Sequence, residues 1–205
     1  MARAPRGRIR TNDPQGLRAR VLDAAAASFQ AQGYRGSSMQ DIVTAAGVTG
    51  GALHHHFATK RDLARAVISE RVAREIGSTW IAAVEAAPSA AEGIVSVFEG
   101  VADALDSQGA VSGCPLGNLA PELALADEIL REAIEVEYRT WRSALATCLK
   151  RDFEAGRAPF VGDDAEGLAD TVVAMFTGAM SIAKAEQDPR SLRACARALR
   201  HMMRV

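Results

Sequence analysis

Residues 37–63, SSMQDIVTAAGVTGGALHHHFATKRDL, hold the densest set of side chains that could do chemistry: three consecutive histidines, a Gly-Gly pair and two Ser/Thr-x-x-Asp patterns. Imidazole ligates metals, so His54, His55 and His56 raise that chemistry first. Adjacent helical residues are rotated about 100° from one another, however, and three in a row cannot converge on one ion. Helical zinc pairs use i, i+4 spacing, and no Cys or carboxylate cluster nearby completes a shell. No metal and no cofactor is expected.

The elements that must carry these residues suggest another chemistry. Ser38-Met39-Gln40-Asp41 and Thr59-Lys60-Arg61-Asp62 each have the form of a helix capping box. Between them, Ile42, Val43, Ala46, Val48, Leu53 and Phe57 are spaced to lock two short helices across the turn AAGVT. Gly47 supplies the left-handed position that such a turn needs. The second helix, from Thr49 to Phe57, would present its N-terminal amides and positive dipole end to phosphate, the geometry of a helix-turn-helix in a major groove. A plain corner between two helices has the same turn chemistry and remains open on these residues alone.

Charge favours the nucleic-acid reading. The 205-residue chain has net charge −1, but residues 1–75 carry 12 Arg/Lys against 6 Asp/Glu, whereas residues 76–205 carry 12 against 19. A basic front and an acidic back imply that only the front meets a polyanion. Residues 1–13, with four arginines and little to bury, read as a disordered basic arm.

The remainder is periodic at helical spacing. Pro14 opens a first helix with Asp13 as cap, and Gly33 ends it. Thr59 opens a long helix towards Trp80 and Val84. Further stripes run from Ile94 to Leu105, Leu130 to Leu149, Leu168 to Ile182 and Leu192 to Met202. Alternating β-branched runs are missing, so the fold class is all-α with about nine helices: a helix-turn-helix domain at 14–60 and a ligand-binding and dimerisation domain at 61–205. No apolar run approaches the ~18 residues of a membrane span, and no apolar segment follows the basic N-terminus as in a signal peptide. Three widely spaced cysteines, Cys114, Cys148 and Cys195, argue against a disulfide framework and for a cytoplasmic protein.

GYRGSSMQDIVTAAGVTGGALHHHFATKRDL (33–63) resembles the DNA-binding domain of the TetR family of bacterial repressors, over roughly residues 14–80. The resemblance implies nine helices, a homodimer on a palindromic double-stranded operator, and release by a small-molecule effector. It places Ser38, Thr59 and Lys60 at phosphates. It puts Gln40, whose amide suits adenine N6/N7, at a base. His54 stands where the family has Tyr, and His55 and His56 occupy positions that contact the DNA backbone. Gly50 replaces a polar side chain, so base reading would lean on Gln40, Thr49, His55 and close backbone approach at Gly50 and Gly51. Two glycines cost a helix about 1 kcal/mol each relative to Ala, which predicts a recognition helix that is loose until DNA orders it.

The C-terminal part lacks GxGxxG, GxxxxGK[ST], GxSxG, HExxH and CxxC, so no motif marks an enzyme. GCPLGNLAPEL (113–123) resembles a signature of several TetR-type regulators. Cys114 there would sense oxidants or electrophiles if the next helix favoured its thiolate, and is otherwise a small buried hydrophobe. In this fold Trp80, Phe98, Leu105, Tyr138, Trp141, Met175 and Phe176 would wall an apolar pocket, with Tyr138, Asn118 or a Trp indole as polar contacts. The last two helices, with Ala169, Ala174, Gly178, Ala179 and Ala183 permitting close approach, would pair with their copies in a dimer. A ligand-responsive repressor is therefore expected. The alternatives are a small-molecule-binding helical protein, or an activator, with altered DNA reading.

Overall fold

The computed structural model describes residues 13–158 and 164–205. The basic arm, apart from Asp13, lies outside the described residues. These form nine helices and no strand. They are α1 (Pro14–Gly36), α2 (Met39–Ala46), α3 (Gly50–His56), α4 (residues 60–86), α5 (Ala90–Gln108), α6 (Pro115–Leu123), α7 (Glu128–Glu154), α8 (Ala165–Glu186) and α9 (Arg190–Met203).

Local signals account for most boundaries. The Asp13 carboxylate accepts the Gly16 amide at 2.9 Å, with Pro14 in the first turn of α1. Gly33 kinks that helix with φ 76°, and a Cβ there would collide with the Glu122 carboxylate. Only glycine meets both demands. Gly47 ends α2 with φ 63°, as the turn chemistry requires. The Thr59–Asp62 capping box is complete, whereas Ser38 binds the Asp41 amide without the reciprocal backbone contact.

Helix α4 departs from a plain α-helix. Its α segments Lys60–Val67, Ala73–Ile76 and Ala82–Ala86 are joined by π turns at Ile68–Val72 and Gly77–Ile81. Six of the buried residues of this rod, Ala64, Ile68, Val72, Ile76, Trp80 and Val84, recur every fourth position, with Leu63 and Val67 buried beside them in its first turns. In a regular α-helix such a series drifts by about 40° per step and leaves the core within a few turns. The two wide turns delay that rotation and keep Trp80 and Val84 inward. An unbroken four-residue repeat was therefore the sequence signal for π turns.

Beyond α4, α5 packs on α9 and α7 packs on α8 around one continuous core. Asp152, fully buried near the end of α7, accepts the Ala90 amide at 2.6 Å and so caps α5 from outside that helix. Burial alone would push its carboxyl up. That amide with Arg157 and Arg151 outweighs burial and holds the carboxyl below the usual aspartate range.

Helix α8 is long and apolar enough by composition to cross a membrane, against the run-length expectation. Its apolar content instead serves packing: Ala169, Val172, Phe176 and Ala183 are buried against α7 and α9, while Asp170 and Lys184 face outward. Three of the five small residues expected at a dimer contact, Ala169, Ala179 and Ala183, are consumed inside the subunit. Ala174 and Gly178 remain exposed, beside Ile182 at 50% exposure.

Candidate functional site

The helix-turn-helix is built on Leu53 and Phe57 of the α3 segment, which bury against Val21, Leu22, Ala25 and Phe29 of α1 and Ile42 of α2. Arg18 of α1 braces this head by two contacts. Its guanidinium donates to Glu70 of α4 at 2.7 Å and lies 5.3 Å from the Phe57 ring centroid.

With that core fixed, Ser38, Gln40, Thr49, Gly51, His54, His55 and Thr59 are exposed. Gly50, His56 and Lys60 are half-buried. A Cβ at Gly50 or Gly51 would meet nothing within 4 Å, so the start of α3 offers bare backbone to the outside. The Thr49 hydroxyl caps α3 by accepting the Ala52 amide at 3.2 Å. The hydroxyl protons of Ser38 and Thr59 are directed at carboxylates, Asp41 at 2.6 Å and Asp62 at 2.7 Å. A phosphate at either helix end would meet backbone amides first, or would have to draw the hydroxyl away. The Lys60 ammonium stands 4.3 Å over the Tyr34 ring. Burial there lowers its pKa from the ordinary lysine value, and the Glu122 carboxylate pulls the other way.

Three contacts tie the head to the helices behind it. Glu122 of α6 accepts the backbone N–H groups of Tyr34 at 3.0 Å and Arg35 at 2.9 Å. Gln30 of α1 donates to the Gly113 carbonyl at 2.5 Å. Arg61 of α4 reaches Asp127 at 3.9 Å.

Behind this joint lies a cavity of about 450 Å³. Five of the residues expected in the pocket line it: Trp80, Leu105, Cys114, Trp141 and Phe176. Trp80 and Phe176 meet edge to face at 4.8 Å, and Trp80 lies 5.0 Å from Trp141, making one aromatic wall. The indole Nε1 atoms of both tryptophans are buried without a hydrogen-bond partner.

The other four expected residues lie off this cavity. Phe98 is fully buried behind the wall, edge-on to Trp80 at 5.6 Å. Met175 is half-buried against the core away from it. Tyr138 borders a separate, more open groove with Ile134, Val173 and Thr177. The Asn118 amide donates to the Ser112 carbonyl at 2.8 Å and accepts Lys184 at 3.1 Å, so it fixes the 112–118 loop. A helical stripe identifies inward-facing residues but not which of them border a void.

Sequence reasoning missed the polar lining, namely Gln30, Arg71, Glu75, Thr79, Gln108 and Ser112. The one available signal was that Glu75 and Thr79 flank the buried four-residue series of α4. Arg71 is held by Asp23 at 2.6 Å and the Ala19 carbonyl at 3.1 Å. Glu75 has no ion pair among the described residues, and its desolvation within the fold pushes the carboxyl up.

The sensor reading of Cys114 finds no support in its surroundings. Burial pushes its thiol up, and the Gly117 and Leu116 amides offset only part of that rise. The thiolate that such chemistry requires is disfavoured. All three cysteines are free.

Comparison with known proteins agrees with this architecture. Residues 21–67 match the bacterial regulatory proteins of the tetR family, and residues 90–198 match the C-terminal domain of LmrA/YxaF-like transcriptional regulators. The chain is 32% identical over 135 residues to the HTH-type transcriptional regulator LmrA of Bacillus subtilis (strain 168), covering 65% of this chain and 71% of LmrA. It is 27% identical over 181 residues to the HTH-type transcriptional repressor DhaR of Mycobacterium sp. (strain GP1), covering 86% of each. A TetR-family regulator from Cytophaga hutchinsonii has the same fold, with TM-score 0.81 at 23% identity over 93% of this chain and 94% of that one. A two-helix reading head joined through α1 and α6 to a cavity-bearing helical body is thus matched in sequence at both ends, and the chain belongs to the TetR family of DNA-binding transcriptional regulators, not to any class of enzyme.

Proposed function

We propose that the protein is a repressor that binds a palindromic operator as a homodimer and is released by a small apolar or aromatic effector. The observation that carries this reading is the shared wall of the cavity. Phe29 and Gln30 belong to α1 of the head, Trp80 to α4, and Trp141 and Phe176 to the body. A molecule filling that space contacts the head and the body together, so its binding energy depends on how the two are set.

In this reading residues 14–60 form the head and 61–205 the ligand and dimer domain. Ser38, Thr59, Lys60, His54, His55 and His56 meet the DNA backbone, while Gln40, Thr49, Gly50 and Gly51 face bases. The exposed flank of α8 around Ala174, Gly178 and Ile182, with Met202 of α9, pairs with its copy. Two heads would then span half-sites about 34–36 Å apart. A repressor of this kind would act in the cytoplasm.

The test begins with sequencing DNA fragments retained by the purified protein, followed by gel shift on the recovered site. A palindromic site bound by two subunits, and released by compounds that perturb indole fluorescence, is expected. Ligand binding without preference for any duplex would favour the alternative of a small-molecule-binding protein that no longer reads DNA.

A further inference from the structure

The cavity has a polar feature that an apolar effector leaves unused. Glu75 lines it together with the aromatic wall of Trp80, Trp141 and Phe176, and no cation of the chain pairs with its carboxylate among the described residues. The basic side chain in the same lining, Arg71, is already engaged by Asp23 and the Ala19 carbonyl. The remaining walls are apolar or neutral, so the lining carries an uncompensated negative charge beside aromatic faces.

Resting on the reading of this cavity as the effector site, we propose that the effector is an organic cation, a protonated amine on an aromatic body, with its ammonium at Glu75 and its body against Trp80, Trp141 and Phe176. Glu75 is exposed to solvent where it borders the cavity, and an ammonium there supplies both the opposite charge and charge-assisted hydrogen bonds. Aromatic faces attract the same cation through their quadrupoles. An anion would meet repulsion from Glu75, and Arg71, the basic side chain of the described lining, is already engaged. A neutral alcohol would donate one hydrogen bond and leave the charge in place. The volume of about 450 Å³ is within the range of small-molecule sites and accommodates a body of one or two rings.

The chain's two tryptophans are both in this wall, so selectively excited tryptophan fluorescence reports on the site. The probes are 4-phenylbutylamine, 4-phenylbutanol and 4-phenylbutyrate, of similar size and different charge, titrated into the full-length protein. The amine is expected to bind about 10-fold or more tightly than the alcohol, and the carboxylate most weakly. Glu75→Gln should reduce the preference for amine over alcohol to about 2-fold or less while keeping alcohol binding. Equal affinity of amine and alcohol in the wild type, an unchanged preference in E75Q, or no binding of any probe would overturn the cation site. The wild-type comparison decides even if the variant does not fold. Operator binding, followed separately by anisotropy of labelled DNA, distinguishes the two ideas. An amine-selective protein that binds no operator keeps the cation site and loses the repressor. A bound operator released only by neutral compounds does the reverse.

Discussion

Glu122 Oε1 accepts the backbone N–H of Tyr34 at 3.0 Å, joining α6, which borders the cavity, to the kink that ends α1. Its other oxygen takes the Arg35 amide at 2.9 Å, so one carboxylate serves two backbone donors that the kink at Gly33 frees. Glu122 thus ties α6 directly to Tyr34, the residue whose ring carries Lys60.

Removing this joint should loosen the head without unfolding the body. Glu122→Ala is expected to reduce stability by about 1–2 kcal/mol, since two partly exposed charge-assisted hydrogen bonds are lost. Glu122→Gln, which keeps one acceptor, should lose less than half as much. Urea unfolding measures both, and equal stability of all three proteins would show that the clamp does not hold in solution.

The bare start of α3 separates stability from DNA reading. Gly51→Ala meets no neighbour within 4 Å and should stabilise the free protein by about 0.5–1 kcal/mol. If DNA backbone approaches closely there, operator affinity should fall despite the gain. Hydrogen exchange at Gly50–Leu53 should be fast in the free protein and slow in the complex, and equal protection in both would refute ordering by DNA.

Asp152 should make the body sensitive to acid. Its carboxyl is held below the usual 3.8, so its contribution is fully present above that value and disappears as pH falls through the depressed one. At neutral pH Asp152→Asn should cost about 1.5–3 kcal/mol through weakened contacts to the Ala90 amide and Arg157. That difference should shrink steadily once pH drops below about 4, where the wild-type carboxyl also takes up its proton. Thermal unfolding across pH 2–7 checks it, and a gap that stays constant would contradict the assignment.

Burial of Cys114 predicts slow chemistry. Iodoacetamide should modify it about 10-fold or more slowly in the native protein than in the unfolded chain, as read by peptide mass spectrometry. Cys114→Ser should leave operator binding under mild oxidant unchanged. Rapid native alkylation would revive the sensor.

Much of the DNA-binding head was legible because its determinants are local. Asp13, Ser38, Thr49 and Thr59 cap the helices that follow them, Gly47 takes the left-handed turn, and the apolar spacing from Ile42 to Phe57 locks the pair. Each such signal acts within about four residues, the reach of one helical turn. The cavity depended instead on contacts between residues far apart in the chain. Nothing near Phe98 or Met175 distinguishes them from Trp80 and Phe176, since all lie on apolar stripes, and only the packing of six helices left space beside two of them.

By itself, then, the sequence determined the helices, their caps, the reading head and its family, because hydrogen-bond chemistry and periodicity act along the chain. The tertiary structure alone decided that Glu122 grips the end of α1, that Asp152 caps α5, and that Glu75 lines one cavity with aromatic rings from α4, α7 and α8. Those relations depend on where separate helices come to rest against one another, which is set by the whole core and by no single segment of it.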